Sequence, residues 1–386
     1  MSDKKFLIIC SAVVVDPLIM SAYNPLVPVL KTAFNVNVEL IALSVTFHML
    51  PLSLLCLFSG ALSDLYKRQQ ILMYGLFTSS IGSLLGALSP NILVFLLSRS
   101  IQGLGSALIM PVGIALIGDI TPREAMGKTM GLFGVFTGFF GVCLGPLIGG
   151  FLADIEWRIL PLSLLAYSLI VGILSRIILR GLVAPRKKGS VSFVFQQLRH
   201  IARNRNIALL GAIGFISMFS WAGITPLISD TLSLPPLLIK NSEIGVLFSI
   251  VGLIGASFSF LGGYVLDRIG SRKTMGFGFL MMLPPMFLLT FANSYWSYFI
   301  LLSVISGFLH FTMTSRSTLV VELMPEARGT VSSISNFAGF LGFASAPVAM
   351  ATIYLVQGIN SVYLVSIFLL LLSVLFAALI HTDRSK

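Results

Sequence analysis

The chain has 386 residues, of which 56% are hydrophobic and only 10% are charged, with a formal net charge of +11. Soluble globular proteins have roughly 45–50% apolar and about 25% charged residues. A water-soluble fold of this length could not cover its surface with so few charges. The composition therefore excludes a soluble protein and indicates a chain that is solvated by lipid.

The positive charge does not indicate a nucleic-acid partner, because the basic residues fall in short loops between apolar stretches. The three cysteines, Cys10, Cys56 and Cys143, each lie inside an apolar stretch, which favours packing over a disulfide or a metal site. The first apolar stretch continues to Lys31 and is longer than a cleavable signal sequence, so we expect it to be retained as a span.

Twelve stretches are long enough to cross a bilayer, whose core of about 30 Å requires about 20 apolar residues. They cover residues 6–30, 40–63, 70–88, 92–118, 128–152, 159–180, 206–229, 244–266, 274–292, 295–321, 329–355 and 360–380. Turn-forming residues separate several of them, as at residues 88–91 and 357–360. The sequence predicts an all-α membrane protein with twelve transmembrane helices.

The distribution of Lys and Arg predicts the orientation. With the N-terminus inside, 20 of the 25 basic residues lie on the inner side, whereas Lys31, Arg158 and Lys240 lie outside and Arg99 and Arg316 lie within spans. We therefore predict a multi-pass protein of the plasma membrane with both termini in the cytoplasm.

The two halves of the chain repeat each other at an offset of 203 residues. The matching pairs are Gly60 and Gly263, Asp64 and Asp267, Asp119 and Glu322, and Pro122 and Pro325. We predict two pseudo-symmetric six-helix bundles, residues 1–180 and 206–386, joined by a cytoplasmic linker at 181–205. The linker pattern predicts an interfacial amphipathic helix, and both a regulatory role and a plain tether on the headgroups remain open.

Each half contains a short loop with Gly, then Asp one helical turn later, then basic residues: Gly60 to Arg68 and Gly263 to Lys273. Ordinary positive-inside charge explains the basic residues but not the repeated Gly-x-x-x-Asp. These loops resemble the signature of the major facilitator superfamily, Gly-x-x-x-Asp-Arg-x-Gly-Arg-Arg, and the resemblance extends over nearly the whole chain. It implies the major facilitator fold and a gating role for Gly60, Asp64, Arg68, Asp119, Asp267, Arg272 and Glu322.

Predicted span four carries an intramembrane arginine in the run Arg99-Ser-Ile-Gln102-Gly103-Leu-Gly105. A charge at this depth is costly and is retained where it faces a partner or water. The run resembles the Arg-x-x-Gln-Gly-x-Gly motif of proton-coupled members, which implies that Arg99 assists proton transfer. The alternative is an arginine that extends to the outer headgroups. Arg316, near the inner end of span ten, is expected to extend to the inner headgroups.

Predicted span one carries Asp16, about 15 Å from the inner edge and so near the midplane. Spans one and four line the cavity in proteins that the chain resembles. A carboxylate that is neutral or ionised according to its surroundings can carry a proton, so we predict that Asp16 and Arg99 share a hydrated pocket and couple transport to protons. A capping role beside Pro17 or a substrate contact remain the alternatives for Asp16.

Predicted span five contains Gly141, Gly145 and Gly149 one turn apart, with Pro146 and Gly150 beside them. The spacing gives a smooth face for close helix contact, and the proline bends the helix. A generic small-residue interface is one interpretation. The run also resembles the Gly-x-x-x-Gly-Pro-x-x-Gly-Gly motif of the twelve-helix drug:proton antiporters, which implies export rather than uptake.

Several polar or aromatic side chains within the spans are candidates to line the substrate cavity: Tyr23, His48, Gln102, Trp221 and His310. A packing role is an equal alternative for His48 and His310. We expect no cofactor and no metal site, since the chain has neither a Gly-x-x-x-x-Gly-Lys-Ser/Thr phosphate loop nor a metal-ligand cluster, and we expect no enzyme.

The sequence thus predicts a monomeric, proton-coupled secondary transporter that exports small amphipathic compounds by alternating access. Its predicted partners are a small-molecule substrate, protons and the bilayer. The alternatives are an exporter or proton symporter of a metabolite such as a sugar or an amino acid and, more distantly, a transporter-like sensor.

Overall fold

The computed structural model describes residues 3–181, 203–323 and 328–380, and these residues form helices without a strand. Twelve helical segments are long and apolar enough to cross a membrane, as the sequence predicts. In the order of the chain they are called spans 1 to 12 from here on. Since lipid cannot hydrogen-bond to the backbone, a spanning segment must satisfy its own N–H and C=O groups, which a helix does.

The bounds of the spans follow the predicted stretches closely. Span 1 consists of Asp3–Ala22, a 3-10 turn at Asn24–Leu26 and Val27–Phe34. Spans 2, 3 and 4 are Val38–Leu65, Arg68–Ala87 and Ile92–Ile120. Span 5 consists of Met126–Thr137, a π-helical turn at Gly138–Cys143 and Leu144–Ile155, and span 6 is Ile159–Ile178. Spans 7 to 12 are Arg205–Ser233, Asn241–Ile269, Ser271–Leu288, Tyr295–Leu323, Arg328–Gln357 and Ile359–Leu379.

Local chemistry sets several ends of these helices. The Asn91 side chain caps span 4 by accepting a hydrogen bond from the Val94 N–H at 3.0 Å. Single glycines, Gly270 and Gly358, separate spans 8 and 9 and spans 11 and 12, with φ of 84° and 80°. A side chain would strain this backbone, which is why glycine occupies both turns.

Span 1 departs from the prediction of one continuous helix over 6–30. The helix that starts at Asp3 ends at Ala22, and a 3-10 turn precedes the second helix. Pro25 and Pro28 lie at the second positions of the two new segments and cannot donate the backbone hydrogen bonds that a continuous helix needs.

The chain divides into two compact units. Unit 1 comprises Met1–Phe193 and Lys240–Ser249, and unit 2 comprises Val194–Ile239 and Ile250–Lys386. The start of span 8 therefore groups with unit 1. The predicted boundaries at 180 and 206 stay a prediction, and the amphipathic linker helix falls on residues 182–202, outside the described residues.

Candidate functional site

Asp16 of span 1 and His48 of span 2 form a direct polar contact inside unit 1. Asp16 Oδ1 lies 3.3 Å from His48 Nε2. The carboxylate residue is 8% exposed and the histidine is fully buried. An acid–imidazole pair with so little access to water is weakly screened, so the two groups interact more strongly than they would at the surface.

Arg99 lies in the same region but is held by neutral groups. Its Nη1 donates to Gln102 Oε1 at 2.6 Å, and its Nε donates to the Ser44 carbonyl oxygen at 3.4 Å. The guanidinium carbon lies 4.1 Å from the centroid of the Tyr23 ring, which is the geometry of a cation–π contact. With 1% exposure, Arg99 is among the largest fully buried side chains of the described residues.

The polar network continues from Arg99 into span 3. Gln102 Nε2 donates to Ser83 Oγ at 2.9 Å. Glycines allow this close approach of helices: a Cβ added to Gly82 would lie 2.7 Å from Gln102 Cγ, and one added to Gly103 would lie 2.9 Å from the His48 carbonyl carbon. Spans 2, 3 and 4 are thus locked around the buried arginine.

The structure changes the predicted pairing of Asp16 with Arg99. The direct partner of Asp16 is His48, and Arg99 is close enough to attract the carboxylate by Coulomb interaction without an ion pair between them among the described contacts. Ser44 and Gln102 accept hydrogen bonds from Arg99 in a nearly dry environment, and a hydrated pocket shared by Asp16 and Arg99 stays a prediction.

The glycine face of span 5 packs on the part of span 1 that follows Asp16. A Cβ added to Gly141 would lie 2.6 Å from Pro17 Cγ, and one added to Gly149 would lie 2.9 Å from the Ala22 carbonyl carbon. Ser21 Oγ also donates to the Gly141 carbonyl oxygen at 2.7 Å. The π-helical turn at Gly138–Cys143 begins eight residues before Pro146 and lies directly against span 1. The motif therefore fixes the helix that carries the acidic residue.

The same segment of span 5 holds the start of span 8 within unit 1. Asp154 accepts hydrogen bonds from Asn241 Nδ2 at 2.9 Å and from the Ser242 N–H at 3.0 Å. Ser249 Oγ donates to the Cys143 carbonyl oxygen at 2.6 Å. A Cβ added to Gly150 would lie 2.9 Å from Gly245 Cα. Sequence reasoning missed Asp154, because the donors that it accepts from lie 87 and 88 residues further along the chain.

The two signature loops differ in their contacts. In the first, Arg68 Nη1 lies 2.5 Å from Asp119 Oδ1. In the second, the structure shows no ion pair between Arg272 and Glu322 among the described contacts. Arg272 instead donates to the carbonyl oxygens of Ala377 and Ala378 at the end of span 12, and Glu322 accepts a hydrogen bond from Ser271 Oγ. The hydroxyl group at the first residue of span 9 takes the place of the cation.

The structure describes fewer contacts for three other predicted gating positions. Gly60 and Asp64 lie near the end of span 2, where the side chains are outside the described part of the structure. Asp267 is exposed near the end of span 8.

The remaining predicted cavity residues lie in unit 2. Trp221 is half-buried in span 7, and His310 Nδ1 lies 2.9 Å from the Ser306 carbonyl oxygen one turn earlier in span 10.

Among the residues that the structure describes, no group of three or more His, Cys, Asp or Glu could hold a metal ion.

An apolar crevice of about 220 Å³ lies between spans 1, 5 and 6 of unit 1. Val14 and Leu18, which flank Asp16 in the sequence, line it together with Phe140, Leu144 and Tyr167. Tyr167 is fixed there because its hydroxyl donates to the Ser11 carbonyl oxygen at 3.0 Å.

Known proteins of similar sequence are membrane transporters. The chain is 27% identical over 356 residues to the uncharacterized MFS-type transporter YwfA of Bacillus subtilis, covering 89% of this chain and 83% of that protein. It is 37% identical over 100 residues to Multidrug resistance protein 3 of Bacillus subtilis, covering 26% and 19%. It is 31% identical over 148 residues to the riboflavin transporter RibZ of Clostridioides difficile, covering 38% and 32%.

Solved structures show the same fold. A bacterial homologue of the human lysosomal transporter Spinster, in an inward-facing and occupied conformation, has a TM-score of 0.78 at 15% identity and covers 97% of this chain and 96% of that chain. A D-xylose-proton symporter has a TM-score of 0.75 at 19% identity and covers 99% of both chains.

The sequence profile of the Major Facilitator Superfamily matches residues 9–239 and 210–386. These ranges include nearly all of the spans and both signature loops. The chain therefore belongs to the Major Facilitator Superfamily, whose members are transporters and not enzymes.

Proposed function

We propose that this transporter is a monomeric, proton-coupled exporter of small amphipathic compounds in the plasma membrane, with both termini in the cytoplasm. The observation that carries the proposal is the buried contact between Asp16 and His48, on the helix that the glycine face of span 5 holds. Ionisable groups inside a membrane span are costly and are retained for function.

Asp16 is the proposed proton carrier. A carboxyl group that either holds a proton or accepts a hydrogen bond from an imidazole has two stable arrangements, as a carrier requires. Arg99 supplies a positive charge at longer range, within Coulomb range of Asp16. His48 is the second member of the proton-binding pair in this proposal.

The glycine face of span 5 is the proposed link between proton binding and shape. It contacts Pro17, Ser21 and Ala22, which follow Asp16 in span 1. A movement of span 1 at Asp16 would therefore alter these contacts. Asp154, at the end of span 5, caps the start of span 8. We propose that these contacts break and form as access alternates, with the Arg68–Asp119 ion pair as a gating contact.

Amphipathic substrates fit the apolar crevice beside span 1. The similarity to Multidrug resistance protein 3 supports a multidrug-type exporter. The similarity to the riboflavin transporter RibZ favours a second candidate, an exporter or symporter of a metabolite.

The relative directions in which protons and substrate cross the membrane distinguish these candidates. Everted vesicles that contain the transporter would be acidified inside, with the membrane potential clamped at zero, and supplied with radiolabelled tetraphenylphosphonium or riboflavin. Accumulation of tetraphenylphosphonium is expected, because protons leaving the vesicle drive the exchange. Vesicles with Asp16→Asn should match empty vesicles. Accumulation of riboflavin alone would favour the metabolite exporter, and loss of substrate from preloaded vesicles would indicate a symporter.

A further inference from the structure

Unit 2 contains a buried arginine that the proposed proton pathway does not use. Arg316 lies in span 10, seven residues before the helix ends at Leu323 and so about 10 Å from that end. The sequence predicts that its side chain extends to the headgroups. This prediction is wrong: the residue is 7% exposed, and its guanidinium turns towards spans 7 and 11.

Two glycines make room for this guanidinium. A Cβ added to Gly214 of span 7 would lie 3.1 Å from Arg316 Cζ, and one added to Gly339 of span 11 would lie 3.7 Å from Nη1. One turn before Gly339, Ser335 accepts hydrogen bonds from Nη1 at its carbonyl oxygen, 3.3 Å away, and at its hydroxyl oxygen, 3.1 Å away. The packing of three helices thus directs the cation into the unit.

The charge of Arg316 has no acidic partner among the described residues. Its described hydrogen bonds use only Nη1, and both go to Ser335, a neutral residue. A buried charge without a counter-ion is costly, and arginine has five N–H donors that match the oxygens of a carboxylate, sulfonate or phosphate group. The remaining donors of Arg316 are therefore suited to an anion that comes from outside the chain.

We infer that Arg316 binds the anionic group of an amphipathic substrate, so that the transporter accepts organic acids with an apolar body. This inference rests on the proposed function, because it names a substrate class for the same transporter. Ser335 positions the guanidinium by accepting hydrogen bonds from Nη1, and Gly214 and Gly339 pack beside the guanidinium without a side chain.

A matched pair of probes tests the inference. 8-Anilinonaphthalene-1-sulfonate and N-phenyl-1-naphthylamine share the same apolar body, and only the first carries a sulfonate. Their binding would be measured by equilibrium dialysis with the full chain in phosphatidylcholine nanodiscs, after subtraction of empty nanodiscs. Since a charge-assisted contact is lost, Arg316→Gln should weaken binding of the sulfonate about 10- to 100-fold and leave the neutral probe nearly unchanged.

Two further variants keep the test decisive. Arg316→Lys retains the charge, so it should retain most of the preference for the sulfonate even if Arg316→Gln does not fold. Arg176→Gln removes one exposed charge from span 6 and should change neither probe. An unchanged ratio of the two affinities in Arg316→Gln would assign Arg316 a structural role and overturn the inference.

The source of the anion is tested by adding phosphatidylglycerol to the nanodiscs. Displacement of the sulfonate from the wild-type site by this lipid would assign the site to a headgroup and overturn the substrate assignment. The proposed function fails separately, if neither tetraphenylphosphonium nor the sulfonate shows proton-driven flux in the wild type while the sulfonate still binds through Arg316.

Discussion

Arg99 of unit 1 and Arg316 of unit 2 are both buried arginines within spans, but their surroundings differ. Arg99 contacts the Ser44 carbonyl, Gln102 and the Tyr23 ring and lies within Coulomb range of Asp16. The hydrogen bonds that Arg316 makes in the described structure go only to Ser335. The difference shows that burial alone does not define the role of a membrane arginine: the first completes a network, and the second retains free donors.

Substitution of each arginine should have the largest effects on stability and should show the clearest difference between the two sites. Arg99→Gln removes two buried hydrogen bonds from a charged group and the cation–π contact with Tyr23, so the free energy of unfolding should fall by roughly 3–5 kcal/mol. Arg316→Gln removes a hydrogen bond to neutral partners and should cost about 1 kcal/mol. Reversible unfolding in mixed micelles with increasing SDS measures both. Equal losses would mean that the two sites have the same structural role.

Glycine substitutions in the two units should have the next largest effects on stability. Gly149→Ala in unit 1 places a Cβ against the backbone of Ala22, which cannot move easily, so we expect a loss of about 1–3 kcal/mol. Gly214→Ala in unit 2 faces the end of the Arg316 side chain, which can shift, and should cost less. Gly134→Ala, with open space around it, is the control. A larger loss for Gly214→Ala in the same unfolding assay would contradict the packing described for span 5.

The cap of span 8 should have a moderate effect. Asp154→Ala removes the acceptor of the Asn241 and Ser242 donors, and loss of such a cap costs about 1 kcal/mol. Asp267→Asn, an exposed acid in unit 2, serves as the matched control. Hydrogen exchange of the first turn of span 8 should increase only in the Asp154 variant. Unchanged exchange there would show that the cap is not needed.

The two signature loops should show the smallest effects and should differ in whether their basic and acidic residues are coupled. A double-mutant cycle with Arg68→Gln and Asp119→Asn should give a coupling of about 0.3–1 kcal/mol, because this ion pair is partly exposed, at 15% and 26%. The cycle with Arg272→Gln and Glu322→Gln should give a coupling near zero, since these side chains have other partners. Equal couplings in both cycles would restore the symmetry that the sequence predicts.

The number of spans and the position of most breaks could be predicted from the sequence, because bilayer thickness fixes the length of an apolar stretch. The depth of Asp16 and Arg99 followed from the same counting. Their partners did not, because depth along a helix does not tell which neighbour a side chain faces. His48 was therefore only one candidate of several, and the sequence favoured Arg99 as the partner of Asp16.

Contacts that form only when three helices pack together could not be predicted from the sequence. Arg316 was expected at the headgroups because its position near the end of span 10 allows it. The space that Gly214 and Gly339 leave becomes visible only when spans 7 and 11 are packed beside it. Asp154 was missed for a similar reason: its donors lie 87 and 88 residues further along the chain.

Proton release on substrate binding tests the central claim most directly. Tetraphenylphosphonium would be added to the purified transporter in weakly buffered detergent solution, and the pH would be followed with an indicator dye. Because Asp16 is the proposed carrier, the wild type should release protons and Asp16→Asn should release none, while circular dichroism shows that both are folded. Equal proton release by the two proteins would contradict the account.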